Sequence, residues 1–202
     1  MDDHLSETDT EIIKYAESLG GSVEYSEDYF DVNLGSLEIA AADLRPLAKL
    51  RRPFTLSLLE SRYRDSDLRE LLAFEHLTGL ILTYSSVTDA GVSELASHKT
   101  ISTLDLSGNK ITDAALSNLA MMPSLACLNL CATAITDKGV ADLLASPTLA
   151  DLGLAQTAIS DGVLPTLQRF TKLRGINLQD TKLTEGGVER LKTALPDCSI
   201  HR

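Results

Sequence analysis

Paired threonine and aspartate residues recur along the sequence and are the first candidates for chemistry. The pairs are Thr88–Asp89, Thr112–Asp113 and Thr136–Asp137, with Ser160–Asp161 and Thr184–Glu185 as variants. Carboxylates at regular spacing could serve acid–base catalysis or bind calcium. An active site is needed only once, however, and a hydroxyl followed by an acid also caps the free amides and complements the dipole at a helix start. We therefore interpret the pairs as helix starts.

Cysteine and histidine residues are the next candidates. On a strand, Cys127 and Cys131 would lie roughly 13 Å apart at ~3.3 Å per residue, beyond the ~7 Å limit for a disulfide. His76 and His98 precede adjacent predicted strands and could approach each other, but no third metal ligand has suitable spacing. The sequence also lacks G-x-x-x-x-G-K-[ST], G-x-S-x-G, H-E-x-x-H and C-x-x-C motifs. We predict no catalytic residue, no metal site and no cofactor.

A repeat of 24 residues positions these side chains. Within the unit "ISTLDLSGNKITDAALSNLAMMPS", Leu104 and Leu106 have the alternation of a strand, and Leu116 and Leu119 then share one side of a short helix. The register extends backwards into less regular sequence, where Ile39 takes a core position. We predict seven repeats over 29–196, starting at 29, 53, 77, 101, 125, 149 and 173.

The pattern "LxxLxLxxNxI" followed by "TDxG" resembles the leucine-rich repeat. The "ITDAGV"-type phrase is similar to the cysteine-containing subclass found in many bacterial repeat proteins, and the resemblance covers about 29–200. It implies an α/β solenoid shaped like a horseshoe, with parallel strands on the concave face and short helices on the convex face. The family is generally used to bind other proteins.

The two ends fit one solenoid domain spanning 1–202. A terminal repeat would expose its apolar flank, so we predict an N-terminal helical cap at 5–28 and a C-terminal cap at 197–202. In the first, Thr8 and Glu11 form a capping box, and Gly20–Gly21 end the helix. The apolar face of this helix consists of Ile12, Ile13, Ala16 and Leu19.

The ninth residue of each repeat is polar from the second repeat onwards. The series reads Leu37, Ser61, Ser85, Asn109, Thr133, Thr157 and Thr181. We interpret these side chains as turned inward, where they satisfy backbone amides at the end of each strand. The alternative is a ladder of polar binding groups.

Charge bounds the class of partner. The net charge of −11 argues against nucleic acid, whose backbone is bound by Lys and Arg. Residues 1–31 contain ten acids against Lys14: Asp2, Asp3, Glu7, Asp9, Glu11, Glu17, Glu24, Glu27, Asp28 and Asp31. A basic segment follows at 45–69, formed by Arg45, Lys49, Arg51, Arg52, Arg62, Arg64 and Arg69. These arginines map to several faces, although the four in turns could flank an acidic partner.

The N-terminal sequence, the apolar runs and the cysteine content bear on the location of the protein. The start "MDDHLSETDTE" has no apolar signal region, and no apolar run approaches the ~18 residues of a membrane span. The chain has three cysteines and only 4% aromatic residues, which suits neither a disulfide framework nor an aromatic-lined pocket. We expect a cytoplasmic monomer without membrane or nucleic-acid contact.

Outward-facing residues of the concave sheet are the candidate partner site. Among them Leu59, Ile81 and Tyr84 are apolar where a pure scaffold would be polar. The other candidates are Asn33, Ser57, Glu60, Thr83, Thr103, Asp105, Ser107, Asn129, Cys131, Asp151, Gln156, Asn177 and Gln179. The alternative is an unspecialised surface. We expect specificity to lie in the irregular repeats before residue 101.

The sequence thus favours a non-catalytic protein–protein interaction module that binds through the concave sheet. One alternative is an inhibitor or immunity-type protein that occludes a basic enzyme. Another is the substrate-recognition subunit of a larger complex. The partner is a protein in each case.

Overall fold

A computed structural model describes residues 5–37, 40–61 and 63–202 of the chain. The predicted core residue Ile39 and the turn residue Arg62 lie outside the described residues, as do Asp2 and Asp3.

Nine strands form one sheet within the described residues, in the order of the chain. They are β1 (Ser22–Tyr25), β2 (Phe30–Asn33), β3 (Phe54–Ser57), β4 (Leu77–Ile81), β5 (Thr103–Asp105), β6 (Cys127–Asn129), β7 (Asp151–Gly153), β8 (Gly175–Asn177) and β9 (Ser199–His201). Strands β2 to β9 are parallel. Thr103, for example, pairs with Gly79 on one side and Cys127 on the other. The sheet is open and has helices along one side, as the predicted fold class requires.

The helices are short and of two kinds. The α-helices of the described chain are α1 (Glu7–Ser18), α2 (Asp89–Leu95), α3 (Leu116–Ala120), α4 (Leu164–Leu167) and α5 (Glu185–Ala194). The 3₁₀ helices are Ala41–Lys49, Asp65–Ala73, Asp113–Ala115, Gly139–Ala145 and Asp161–Val163. The helix predicted for each repeat is therefore often a 3₁₀ turn, which is common where a connection has room for only a few residues.

One core runs between the sheet and the helices. Leu104 and Leu106 of the fourth repeat are at most 1% exposed, and Leu116 and Leu119 meet them from the helical side. This confirms the predicted change from strand alternation to helical spacing within a repeat. Neither element could bury its apolar side alone, so stacking of successive repeats completes the core.

The N-terminal cap is a helix, but it begins earlier than predicted. Ser6 accepts a hydrogen bond from the Asp9 amide at 3.0 Å, and the Asp9 carboxylate accepts one from the Ser6 amide at 3.1 Å. The predicted capping box of Thr8 and Glu11 is wrong, because both residues lie inside α1. A start at Ser6 also lets Leu5 pack against the core.

Helix α1 ends as predicted at Gly20–Gly21. Gly20 has a φ of +93°, and its amide donates to Glu17 at 2.9 Å. The chain then enters β1, which pairs with β2 in the antiparallel direction. This hairpin is the one departure from parallel pairing within the described sheet.

Arg52 links the cap to the second repeat. Its guanidinium lies 3.5 Å from the Asp9 carboxylate, donates to the Glu27 carbonyl at 2.7 Å and lies 5.4 Å from the centre of the Phe30 ring. Of the turn arginines that could have flanked an acidic partner, Arg52 is therefore engaged inside the protein. Arg45, on the helical side, pairs with Glu70 at 3.2 Å and is exposed.

Candidate interaction surface

Four of the five predicted pairs begin helices. Thr88, Thr112 and Ser160 each accept a hydrogen bond from the amide two residues later, at 3.2–3.3 Å. Thr184 accepts one from Gly187 at 3.0 Å. The interpretation as caps is confirmed for these four pairs and is wrong for Thr136–Asp137, because the 3₁₀ helix that follows begins only at Gly139.

The aspartates of these pairs have a second role that the sequence analysis missed. Each carboxylate accepts the backbone amide and the hydroxyl of the capping residue in the following repeat. Asp113, for example, accepts from Thr136 at 2.8 Å (amide) and 2.5 Å (hydroxyl). The other members of this ladder are Asp65 to Thr88, Asp89 to Thr112, Asp137 to Ser160 and Asp161 to Thr184. The acids link neighbouring repeats, so they are not assembled as a catalytic or calcium site.

Asn109 has the role predicted for the ninth residue of a repeat. Its Oδ1 accepts the amides of Ser85 and Val87 at 3.0 and 2.9 Å. Its Nδ2 donates to the carbonyl oxygens of Leu82, Leu106 and Ser107 at 2.7–3.2 Å. Asn109 is 5% exposed and ties two consecutive strand ends together.

The threonines at the same position behave differently. Thr157 and Thr181 donate to the carbonyl oxygens of Leu154 and Leu178 at 2.6 and 2.8 Å, and Thr133 makes the same bond. The predicted bonding to amides is therefore wrong for the threonines, because a hydroxyl reaches only the carbonyl three residues earlier. The side chains are nevertheless turned inward, which excludes a binding ladder at this position.

His98 is a structural residue. It is 4% exposed, and its Nε2 lies 3.2 Å from the Leu71 carbonyl oxygen. Burial lowers the pKa of His98, although the bond to Leu71 opposes this change. Among the described residues, no three potential metal ligands converge.

The side of the sheet away from the helices is exposed and corresponds to the concave side of the predicted horseshoe. We call it the open face and define it by the third, fifth, seventh and eighth residues of each predicted repeat. The third residues are Asp31, Thr55, Gly79, Thr103, Cys127, Asp151 and Gly175, and the fifth are Asn33, Ser57, Ile81, Asp105, Asn129, Gly153 and Asn177. The seventh are Gly35, Leu59, Thr83, Ser107, Cys131, Ala155 and Gln179, and the eighth are Ser36, Glu60, Tyr84, Gly108, Ala132, Gln156 and Asp180. Every residue of the predicted partner site lies in one of these rows, and Ser199 and His201 of β9 extend the first two.

The open face is acidic. Its carboxylates are Asp31, Glu60, Asp105, Asp151 and Asp180, and these rows contain neither lysine nor arginine, although the chain has 18 such residues. In the hairpin, Glu24 pairs directly with Asp31. Burial, and secondarily Glu24, raises the pKa of Asp31. A cationic surface would complement this face.

The apolar residues of the open face lie mainly at the strand ends. Tyr84 is 59% exposed and Leu59 is 37% exposed, whereas Ile81 is half-buried. The Tyr84 ring covers Gly108 of the next repeat so closely that a Cβ there would clash with it. The Cβ and the carbonyl oxygen of Leu59 lie close to Gly35 of the preceding repeat. The Tyr84 ring thus uses a glycine in the adjacent repeat as its support.

The eighth residue of every repeat has a left-handed backbone conformation. The φ values are 53–58° at Ser36, Glu60, Tyr84, Ala132, Gln156 and Asp180, and 69° at Gly108. Only one of the seven is glycine, so the residue types at this position do not indicate the turn. The conformation turns the chain away from the sheet and leaves the eighth side chain at the margin of the open face.

A groove of about 350 Å³ crosses the open face from Ile81 to His201. Three outward-facing residues that line it were not among the predicted site residues: Gly153, Gly175 and His201. Glycine at an outward position of a strand could have indicated the groove, because it leaves one row of the open face without a side chain at that strand. The groove lies mostly in the fourth to seventh repeats, whereas specificity was expected in the earlier ones.

Hydrogen bonds fix most polar groups of the groove. The Asp105 carboxylate accepts from the Ser107 amide at 2.8 Å, the Ser107 hydroxyl at 2.5 Å and the Asn129 Nδ2 at 2.8 Å. The Asp151 carboxylate accepts only the Cys127 thiol, at 3.6 Å, among the described residues.

The two thiols in the groove are not activated. Burial raises the pKa of Cys127, with a further contribution from Asp151, and burial also raises the pKa of Cys131. A nucleophilic cysteine needs the opposite shift. Both cysteines are free thiols.

Comparisons with known proteins agree with this architecture. A family model described as a leucine-rich repeat matches residues 97–120. Internalin C2 of Listeria monocytogenes is a structural neighbour with a TM-score of 0.58 and 20% sequence identity, and the match covers 85% of this chain and 78% of that one. A search of curated protein sequences finds none that matches. Among the described residues, no helix has the length and apolarity needed to cross a membrane. The open sheet of parallel strands, the flanking helices and this neighbour identify the fold as a leucine-rich-repeat solenoid.

Proposed function

We propose that this chain is a non-catalytic protein-binding module whose open face contacts the partner. The observation that carries the proposal is the composition of this face, which combines small polar side chains with a groove and no lysine or arginine. Long flexible side chains lose conformational entropy when a partner orders them, and short ones lose less. A partner surface can therefore approach the backbone of the sheet closely.

Tyr84 and Leu59 are the proposed anchors at the margin of this face. Both are exposed, and the Tyr84 ring is held in place by packing on Gly108. Tyrosine is enriched among the residues that contribute most to binding, since it brings a large contact area with few rotatable bonds. The same proposal includes a monomeric state, a cytoplasmic location and membership of the cysteine-containing subclass. It also includes seven repeats, which start at 29, 53, 77, 101, 125, 149 and 173.

A second candidate is an inhibitor that occludes a basic enzyme. The acidic open face and the net charge of −11 favour it over a general scaffold. The two differ in measurable ways, because electrostatic steering makes association with a basic partner fast and sensitive to salt. One tight, salt-sensitive partner supports the inhibitor, while several moderate partners support a scaffold or a substrate-recognition subunit.

The test is affinity capture with mass spectrometry from the native lysate, comparing two double variants. Ile81→Asp with Tyr84→Ala alters the open face, and Met121→Asp with Leu72→Ala makes a matched change on the helical side. Met121 and Leu72 are 74% and 37% exposed. We expect the first variant to lose the captured proteins at nearly unchanged thermal stability, and the second to retain them. Unchanged capture by the open-face variant contradicts the proposal.

A further inference from the structure

Two glycines leave a gap in the outward side chains of the groove. Gly153 of β7 and Gly175 of β8 lie in the fifth and third rows of the open face, in adjacent strands. The side chains of Asn129 and Asp151 lean into the space that a Cβ at these positions would occupy. The bottom of the groove is therefore backbone, bordered by an amide and a carboxylate.

The Asp151 carboxylate differs from the other groove carboxylate in its bonding. An ionised carboxylate has about four acceptor positions. Asp105 uses three of them, because it accepts the backbone amide and the hydroxyl of Ser107 and the side-chain amide of Asn129. Asp151 receives only the weak thiol donor of Cys127 and is exposed. It is thus the groove carboxylate that has free acceptor positions for another molecule.

Within the described residues, Asp151 forms no ion pair. The open-face rows contain no lysine or arginine, and His201 is the sole histidine among the groove-lining residues that the structure describes. A metal ion does not fit, because no three potential ligands converge within the described ranges. A cationic side chain from outside is the group that complements this exposed carboxylate.

We propose that the groove seats an arginine or lysine side chain of the partner protein, with the charged group paired to Asp151 above Gly175 and Gly153. This rests on the proposed function and assigns the partner a basic residue in an exposed, extended segment. The aliphatic stem lies along the groove-lining backbone of β6 to β8, which excludes water from one side of the ion pair and strengthens it. Asp105 lies on the other side of Asn129 and adds a second negative charge to the groove.

The test is an NMR titration of the intact protein labelled with ¹⁵N. The probes are three capped peptides, Ac-Gly-Ser-X-Ser-Gly-NH₂, in which X is arginine, lysine or citrulline. We expect saturable shifts at the amides of Gly153 and Gly175 with both cationic peptides, and at least tenfold weaker binding of the neutral citrulline peptide. Tighter binding of the arginine peptide than of the lysine peptide indicates that the planar guanidinium forms two hydrogen bonds with the carboxylate. Equal binding of the two peptides indicates that only the positive charge is recognised.

Variants define the site and its control. Asp151→Asn should weaken the cationic peptides at least tenfold, and Gly175→Ala should do so by displacing the Asp151 carboxylate, whose Oδ1 lies where the added Cβ would go. Asp180→Asn removes a carboxylate from the margin of the same face and should leave binding unchanged. Shifts that centre on α1, or that persist in Asp151→Asn, overturn the proposal.

The same variants separate this inference from the function on which it depends. If capture of a partner is lost in the variant altered at Ile81 and Tyr84 but unaffected by Asp151→Asn, the function holds and the cation site is wrong. If the peptides bind as expected while open-face variants capture the same proteins as the unmodified chain, the cation site holds and the proposed function is wrong.

Discussion

The carboxylate of Asp89 accepts both the backbone amide and the hydroxyl of Thr112, at 2.8 and 2.6 Å. Asp89 belongs to the third repeat and Thr112 to the fourth, so one side chain completes the helix start of the next repeat. A hydrogen bond to a charged group contributes about 1.5–3 kcal/mol when shielded and less when exposed.

Removing one rung of this ladder should destabilise the protein locally. We expect Asp113→Ala to lower the free energy of unfolding by about 1–2 kcal/mol, since it leaves the Thr136 amide without its acceptor. Asp142→Ala, at an exposed helical position, is the matched control and should change it by less than about 0.5 kcal/mol. Urea denaturation measures both, and equal effects contradict a linking role for Asp113.

The ladder should also give an acid-dependent contribution to stability. The amide and hydroxyl of Thr184 lower the pKa of Asp161 below its ordinary value of 3.8, with Arg190 and Arg202 contributing less. A lowered pKa means that the stabilisation is present above this ordinary value and is lost as the pH falls through the folded-state pKa. Thermal unfolding between about pH 5 and pH 2 should therefore depend less on pH in Asp161→Asn than in the unmodified protein. An identical pH profile would contradict this assignment.

Asn109 and Thr133 occupy the same position of consecutive repeats and should differ sharply in their importance. Asn109→Ala leaves the buried amides of Ser85 and Val87 without an acceptor, at about 1–3 kcal/mol each. Thr133→Val removes a single hydroxyl donor to the Leu130 carbonyl and keeps the shape, so we expect a loss of about 1 kcal/mol. Denaturation of the two variants measures the difference. Similar losses would show that Asn109 is not the tie between strand ends.

Arg52 should hold the N-terminal cap in place. Arg52→Ala leaves the Asp9 carboxylate, which is 6% exposed, without its cationic partner. We expect a loss of about 2–4 kcal/mol in the stability of the cap, seen as faster amide hydrogen exchange in α1 and β1. Arg51→Ala at the exposed neighbouring residue is the control and should leave exchange unchanged. Exchange rates that are equal in the two variants would remove Arg52 from this role.

Gly108 should be required mainly for the position of the Tyr84 ring. Other repeats tolerate a side chain at the same left-handed backbone conformation, so the distinctive cost of Gly108→Ala is the clash with this ring. We expect a stability loss of about 1 kcal/mol and displaced ring resonances of Tyr84 in NMR spectra. In the background of Tyr84→Ala, the added cost of Gly108→Ala should shrink. Additive losses would show that the ring does not depend on the glycine.

The sequence predicted features that repeat locally and missed those that depend on a neighbouring repeat. The leucine spacing was enough to place Leu104 and Leu106 in the core, and the hydroxyls were enough to locate the caps. The carboxylate of Asp89 bonds a residue 23 positions away, which is visible only once adjacent repeats are stacked. The core positions and the bond of Asp89 both follow from the 24-residue repeat. The core positions can be read within one repeat, whereas the bond of Asp89 requires two.

The ends and the site were harder to predict for other reasons. Ser6 and Thr8 both precede an acid at capping distance, and the packing of Leu5 distinguishes them only in three dimensions. Residues of β1 are mostly exposed, so their sequence has no strong strand pattern. The groove depends on Gly153 and Gly175, whose contribution is the absence of a side chain.

The reversed strand β1 affects how copies of the protein can associate. In a sheet of parallel strands, the two edge strands run in the same direction. The edge strand of one copy can then pair in parallel with the opposite edge strand of another copy, which allows head-to-tail growth into filaments. Strand β9 pairs with β8 and is the other end strand of the described sheet. A second copy that brings its β9 to the first end meets an antiparallel strand with α1 packed beside it. The parallel ladder is interrupted there, so head-to-tail stacking of copies cannot continue the parallel sheet.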